Sequence, residues 1–277
     1  MTQPLHYWVG ETQHCRNLPD CSEQVIDGVL WGTPWQLFTP AYWLSQLWMS
    51  GLDRADRSPY KGRGSLAEEL TFCMLGGYGI TAELATVAFD VCRSAGLIAA
   101  LEPSAARWEA ELTRPLLLNG RTTRYRYPKQ KARFLANAMA FLRRNPLDQH
   151  SGRHLRDALL EIKGVGPKTA GWVARNYLDT DDVAILDIHL IRAGLLCNLF
   201  EPEQRVERDY FAMEERYIRF CHALTARPAV LDCLIWDQMR NYGKVALTAL
   251  SQKLGVTGEK PAVFPLKQKQ LALRLLM

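Results

Sequence analysis

Residues 162–175 read IKGVGPKTAGWVAR, and this stretch decides the fold. Gly164 and Gly166 stand one residue apart, permit a tight turn and leave neighbouring backbone N–H groups uncovered. Pro167 suits the first position of a helix, where its missing N–H costs nothing. Upstream, HLRDALLEIKG reads as one short helix; downstream, PKTAGWVARNYL reads as a second. Ala170 is small enough to let the two cross closely. The uncovered donors of Gly164, Val165 and Gly166, with the positive end of the second helix, form a phosphate site. Lys168 at its mouth has two readings: a contact to phosphate or a nucleophile.

Outward from this hairpin the helical period dominates and alternating patterns are scarce. Ser65 precedes LAEELTFCML with Glu68 three residues on, a capping box, and Gly76–Gly77 stops that helix. Thr81 starts the next, which ends at Gly96. Further helices are expected over Ser104–Thr113 and from Pro128 through KQKARFLANAMAFLRR, the latter with Ala132, Leu135, Met139 and Leu142 on one face. Helices are also expected over 203–224, 229–241 and 266–276. The first 38 residues read as irregular, with VIDGVLWG as the best strand or turn candidate. The aromatics Trp31, Trp35, Phe38, Tyr42, Trp43 and Trp48 read as core. The expectation is an all-α, mainly helical chain with a small irregular or β N-terminal region.

Composition excludes several classes. No apolar run approaches the roughly 20 residues of a membrane span, and the N-terminus lacks a signal-peptide pattern. A cytoplasmic location and no membrane partner are the expectation. The seven cysteines are scattered and odd in number, so free buried thiols are expected rather than disulfides. Close pairs of the C-x2-C kind are absent, which argues against zinc or an iron–sulfur cluster. The net charge of +5 is mild, but its distribution is not. From Arg114 to Arg144 there are nine Lys or Arg and no acidic residue. Such a block suits a phosphate backbone, with Arg124, Arg126, Lys129 and Lys131 as contacts, or else is a solvated helix face.

DDVAILDIHLIRAG sets Asp187 inside an apolar run, where an unpaired carboxylate is costly. Asp187 can cap the helix that begins at Ile188 and still keep one oxygen for chemistry. Lys168 and Asp187, each opening a helix, are then expected to converge on one site.

The GVGPK hairpin, the LDIH stretch and the basic YRYPKQKARF segment together resemble the helix-hairpin-helix DNA glycosylase superfamily, in its 8-oxoguanine DNA glycosylase/lyase branch. The resemblance covers roughly residues 60–200 and is nearest to the smaller, archaeal-type enzymes. It implies two helical subdomains flanking a DNA-binding cleft. It divides the chain into an N-terminal extension over 1–38, the glycosylase fold over 39–255 with the hairpin at 155–178, and a C-terminal linker and helix over 256–277. It further implies Lys168 as nucleophile, Asp187 as catalytic carboxylate and His189 as a residue that holds DNA near the lesion. The partner implied is double-stranded DNA with a damaged base, bound by a monomer. No metal or cofactor is implied beyond a monovalent cation at the hairpin. Relatives with an iron–sulfur cluster carry four closely spaced cysteines, which this chain lacks, and monofunctional relatives replace the lysine, which it keeps.

Trp172, one turn beyond Lys168, stands where some oxoguanine enzymes have a cysteine. Trp172, Trp236 and Asp237 are candidate base-pocket residues, with core packing as the competing reading. Two rival functions remain open: a helix-hairpin-helix module that binds DNA without cutting it, and a glycosylase for another modified base, including one used against phage.

Overall fold

The computed structural model describes residues 1–54, 64–77, 79–147 and 149–255. These fall into two units, one built from residues up to 59 and from 184 onward, the other from 60–183. Each has its own apolar core.

The 60–183 unit carries the hairpin. The first unit supplies α1 (Pro40–Met49), and the second opens with α2 (Leu66–Leu75), whose Ser65 and Glu68 form the expected capping box. Thr81 caps α3 (Ala82–Ser94) through the N–H of Leu84 at 3.2 Å. α4 (Ala105–Thr113) follows, then a small hairpin of β-strands at Leu116–Leu118 and Arg121–Thr123. Its two-residue loop, Asn119–Gly120, has both φ angles positive, as the twist of such a hairpin demands. α5 (Pro128–Arg144) buries Ala132, Leu135 and Met139 as its period requires. Then come α6 (Gly152–Leu159) and α7 (Pro167–Leu178), the two arms of the motif.

The two hairpin glycines do different work. Gly164 sits at φ +95°, and a Cβ there would lie 2.4 Å from the Phe134 ring of α5. A Cβ on Gly166 would meet nothing within 4 Å, and the residue caps α7 in extended geometry. Gly164→Ala is therefore expected to lose roughly 2 to 4 kcal/mol from backbone strain and overpacking. Gly166→Ala should stay close to wild type. Urea unfolding of the two variants checks this.

In the other unit the N-terminal residues are more regular than their sequence suggests. Gln3–Val9 (β1) and Thr12–Leu18 (β2) pair antiparallel about a two-residue loop with Gly10 at φ +59°. Leu5, Tyr7 and Leu18 turn inward while His6 and Trp8 face out. VIDGVLWG does form a strand pair, Gln24–Ile26 with Val29–Leu30. α1 is capped by Thr39 with Pro40 at its first turn, and it buries seven of its ten residues. Among the six aromatics of 31–48, Trp31, Phe38, Tyr42 and Trp43 are buried and Trp48 is partly so, but Trp35 is 71% exposed. It lies in the loop before α1, where no element covers it. None of the seven cysteines is joined in a disulfide; five are buried, while Cys15 and Cys21 are exposed in the β-rich N-terminal region.

The remaining helices are α8 (Ile188–Leu196), α9 (Val206–Ala223), α10 (Pro228–Asn241) and α11 (Gly243–Lys253). The helix expected at 266–276 lies outside the described residues. Among those described, no helix is long and apolar enough to cross a membrane.

Candidate active site

Lys168 is the second residue of α7, and its side chain is exposed. No side chain caps this helix. Pro167 has no N–H, and helix geometry leaves those of Lys168 and Thr169 without an intrahelical acceptor. The first intrahelical bond shown here is Ala170 N–H to Gly166 O at 2.9 Å. Ala170 is wholly buried, so α7 meets its neighbours closely just behind the exposed lysine. A lysine beside open backbone donors at a helix N-terminus is suited to an anionic group.

Trp172, one turn on, is half-buried. Its ring meets Phe72 edge-on at 5.9 Å and covers the C-terminal end of α2, where a Cβ on Gly76 would lie 3.2 Å from it. The same helix end engages Lys131. Its ammonium donates to Met74 O, and to Gly76 O at 2.8 Å. Burial pushes its proton affinity below the ordinary lysine value. Lys131 thus serves as a C-terminal cap for α2 rather than as the open phosphate contact its place in the basic block suggests.

The rest of the block is more exposed but not uniform. Arg124 is exposed. Arg126 lies over the Tyr127 ring at 4.9 Å, and Lys129 is 3.9 Å from Glu109. Lys131→Met should lose about 1 to 2 kcal/mol of stability by stranding two carbonyls while leaving DNA binding at matched folded fraction unchanged. Arg124→Ala should leave stability alone and reduce the slope of log affinity against log salt by about one. Unfolding curves and a salt titration of binding to plain duplex separate the two.

Asp187 is the N-cap of α8, as its sequence position predicts. Its Oδ1 accepts from His189 N–H at 2.8 Å and Leu190 N–H at 2.9 Å. Both cap bonds end on one oxygen, so Oδ2 stands outside the cap. The residue is buried, at 9% exposure. Arg192, further along α8, feels this charge: burial pushes its guanidinium down while Asp187 opposes the shift. The five-residue spacing on one helix is the sequence signal that places Arg192 near Asp187.

The His189 ring meets the edge of Trp236 at 6.3 Å, and the Arg240 guanidinium lies 5.3 Å over the same indole. Trp236 is half-buried and Asp237 is exposed. α10 also buries Asp232, one turn before Trp236. Among the described residues no group of three or more His, Cys, Asp or Glu could hold a metal ion.

Residues 59–226 match the family model described as Ogg-HhH, 8-oxoguanine DNA glycosylase. The chain belongs to this family. The matched span holds both arms of the hairpin and the Asp187 cap. A protein of Metallosphaera sedula named 8-oxoguanine DNA glycosylase/AP lyase is 31% identical over 119 residues, which is 40% of this chain and 57% of that protein. The match thus spans little more than half the length of that relative. Among solved structures, the 8-oxoguanine DNA glycosylase of Thermotoga maritima is 23% identical with a TM-score of 0.46, over 63% of this chain and 79% of that one. The 8-oxoguanine DNA glycosylase of Methanocaldococcus jannaschii is 24% identical with a TM-score of 0.48, over 64% and 78% respectively.

Proposed function

We propose that this family member is a bifunctional DNA glycosylase that removes an oxidised purine, 8-oxoguanine foremost, from duplex DNA and then cleaves the strand at the abasic site. The observation that carries the reading is Lys168, an exposed amine on the second residue of an uncapped helix within the family-matched span. Flipping the damaged nucleotide out of the stack, at a few kcal/mol, brings C1′ within reach of an enzyme.

Lys168, once it has shed its proton, attacks C1′, and the glycosidic bond breaks with its electron pair leaving on the base, which takes up a proton. The sugar ring opens as O4′ leaves C1′ and is protonated, while the nitrogen loses a proton, giving a C1′=N Schiff base. Removal of a C2′ proton then expels the 3′ phosphate with the C3′–O pair. Asp187 stabilises the positive charge that develops on the sugar. His189 and the hairpin residues Gly164, Val165 and Gly166 hold the DNA backbone, and the Trp236 indole offers a face to the extruded base. No cofactor takes part in this scheme.

The exposure of Lys168 at open helix donors also favours a second reading, a phosphate contact in a binding module. The test is base release from duplexes that each carry one lesion, with 8-oxoguanine first and other modified bases after it. Release of 8-oxoguanine supports the reading. Release of a different base alone would reassign the substrate, and salt-sensitive binding with no release from any duplex would leave only the binding module.

A further inference from the structure

Asp187 stands at the end of a buried stretch, residues 184–186, that belongs to neither helix nor strand. Irregular backbone in such a place has no ladder to satisfy its N–H and C=O groups, and water cannot reach them; one bond is local, from Asp187 N–H to Ile185 O at 2.8 Å. Two side chains of α9 satisfy others. The Tyr210 hydroxyl donates to Ala184 O at 2.8 Å and accepts from Leu186 N–H at 3.3 Å. The Glu214 carboxylate accepts from Ala184 N–H at 2.9 Å. Tyr210 and Glu214 are four residues apart on one helix face, and each is only 4% exposed.

We propose that Tyr210 and Glu214 are positioning residues for Asp187, acting through the backbone of 184–186. This rests on the reading of Asp187 as the catalytic carboxylate. One hydroxyl spans two peptide groups of the segment, so it sets where Leu186 ends and where the Asp187 carboxylate points. An ordinary structural bond would lower stability when removed but would leave the rate of the folded molecules alone. A positioning bond changes that rate, because small displacements of a reacting group are costly.

The experiment is single-turnover release of base from an 8-oxoguanine duplex at saturating enzyme, with folding checked by circular dichroism. Tyr210→Phe is expected to slow the rate constant by about 10- to 100-fold with half-saturation unchanged. Glu214→Gln, which keeps an acceptor oxygen, should slow it less than Glu214→Leu. The Glu214 pair carries the test should Tyr210→Phe unfold. In an Asp187→Asn background Tyr210→Phe should add no more than about twofold, since the group it positions is gone. Tyr217→Phe removes a buried hydroxyl bond on the same helix, to Pro228 O at 3.1 Å, and should lower stability without changing the rate.

Wild-type rates in folded Tyr210→Phe, or a full slowdown that persists beside Asp187→Asn, would overturn the inference while the site reading stood. A wild-type chain inert on this duplex, or Asp187→Asn at the wild-type rate, would instead sink the reading of the site and the inference with it.

Discussion

Lys168→Gln is expected to form no borohydride-trapped adduct with lesion-bearing or abasic DNA and to cleave abasic strands on the order of 1,000-fold more slowly or worse, about 4 kcal/mol of lost barrier lowering. Glutamine keeps most of the side chain's length and its hydrogen-bonding capacity, yet its amide nitrogen cannot form a Schiff base. The fold should be unaffected, because the side chain is exposed and its position opens a helix whose packing begins at Ala170. Binding to undamaged duplex should fall only modestly, through loss of one cation among many. Gel analysis of trapped complexes, run beside a binding titration, gives both numbers. An adduct that survives in Lys168→Gln would assign the nucleophile to another amine.

At Asp187 two substitutions should part company. Asp187→Asn retains a side-chain oxygen that can accept the His189 and Leu190 N–H groups, so α8 should keep its cap and the stability change should be slight. The negative charge is gone, however, and base release is expected to slow by about 10²- to 10⁴-fold. Asp187→Ala loses the charge and the cap together. It should be as slow as Asp187→Asn and also about 1 kcal/mol less stable. Stability and single-turnover rate, measured on the same two variants, separate the residue's structural job from its chemical one. Equal stability in the two would mean the cap matters little. A fast Asp187→Asn would mean that the carboxylate is only a cap.

The local parts of this architecture were legible because their causes lie within a few residues. The Ser65 and Glu68 box, the Thr81 cap, the Asp187 cap and the glycine turn at 164–166 each solve a backbone problem with neighbours in the chain. α1 was harder to see although Thr39–Pro40 marks its start. With seven of ten residues buried it has no polar face, and periodicity cannot report a helix that is apolar nearly all round. α11 errs the other way, since only Ala246 and Leu250 are buried in it. The hairpin at 116–123 hid inside the basic block, although Asn119–Gly120 is a strong hairpin signal. Trp35 shows the limit of reading aromatics as core, because burial belongs to a place in the fold and not to a residue type.

By itself the chain order settled the helical class, the hairpin with its lysine and the aspartate at the head of α8. These depend on short-range geometry, where a donor and its acceptor are held three or four positions apart by the helix itself. Only the tertiary structure decided that Lys131 spends its charge on carbonyls 57 and 55 residues away and that Trp172 seals the same helix end. Only the tertiary structure, too, set Tyr210 and Glu214 against the irregular segment 184–186 that delivers Asp187. The physical reason is desolvation: a buried polar group must find a partner, and which partner reaches it depends on how distant segments pack.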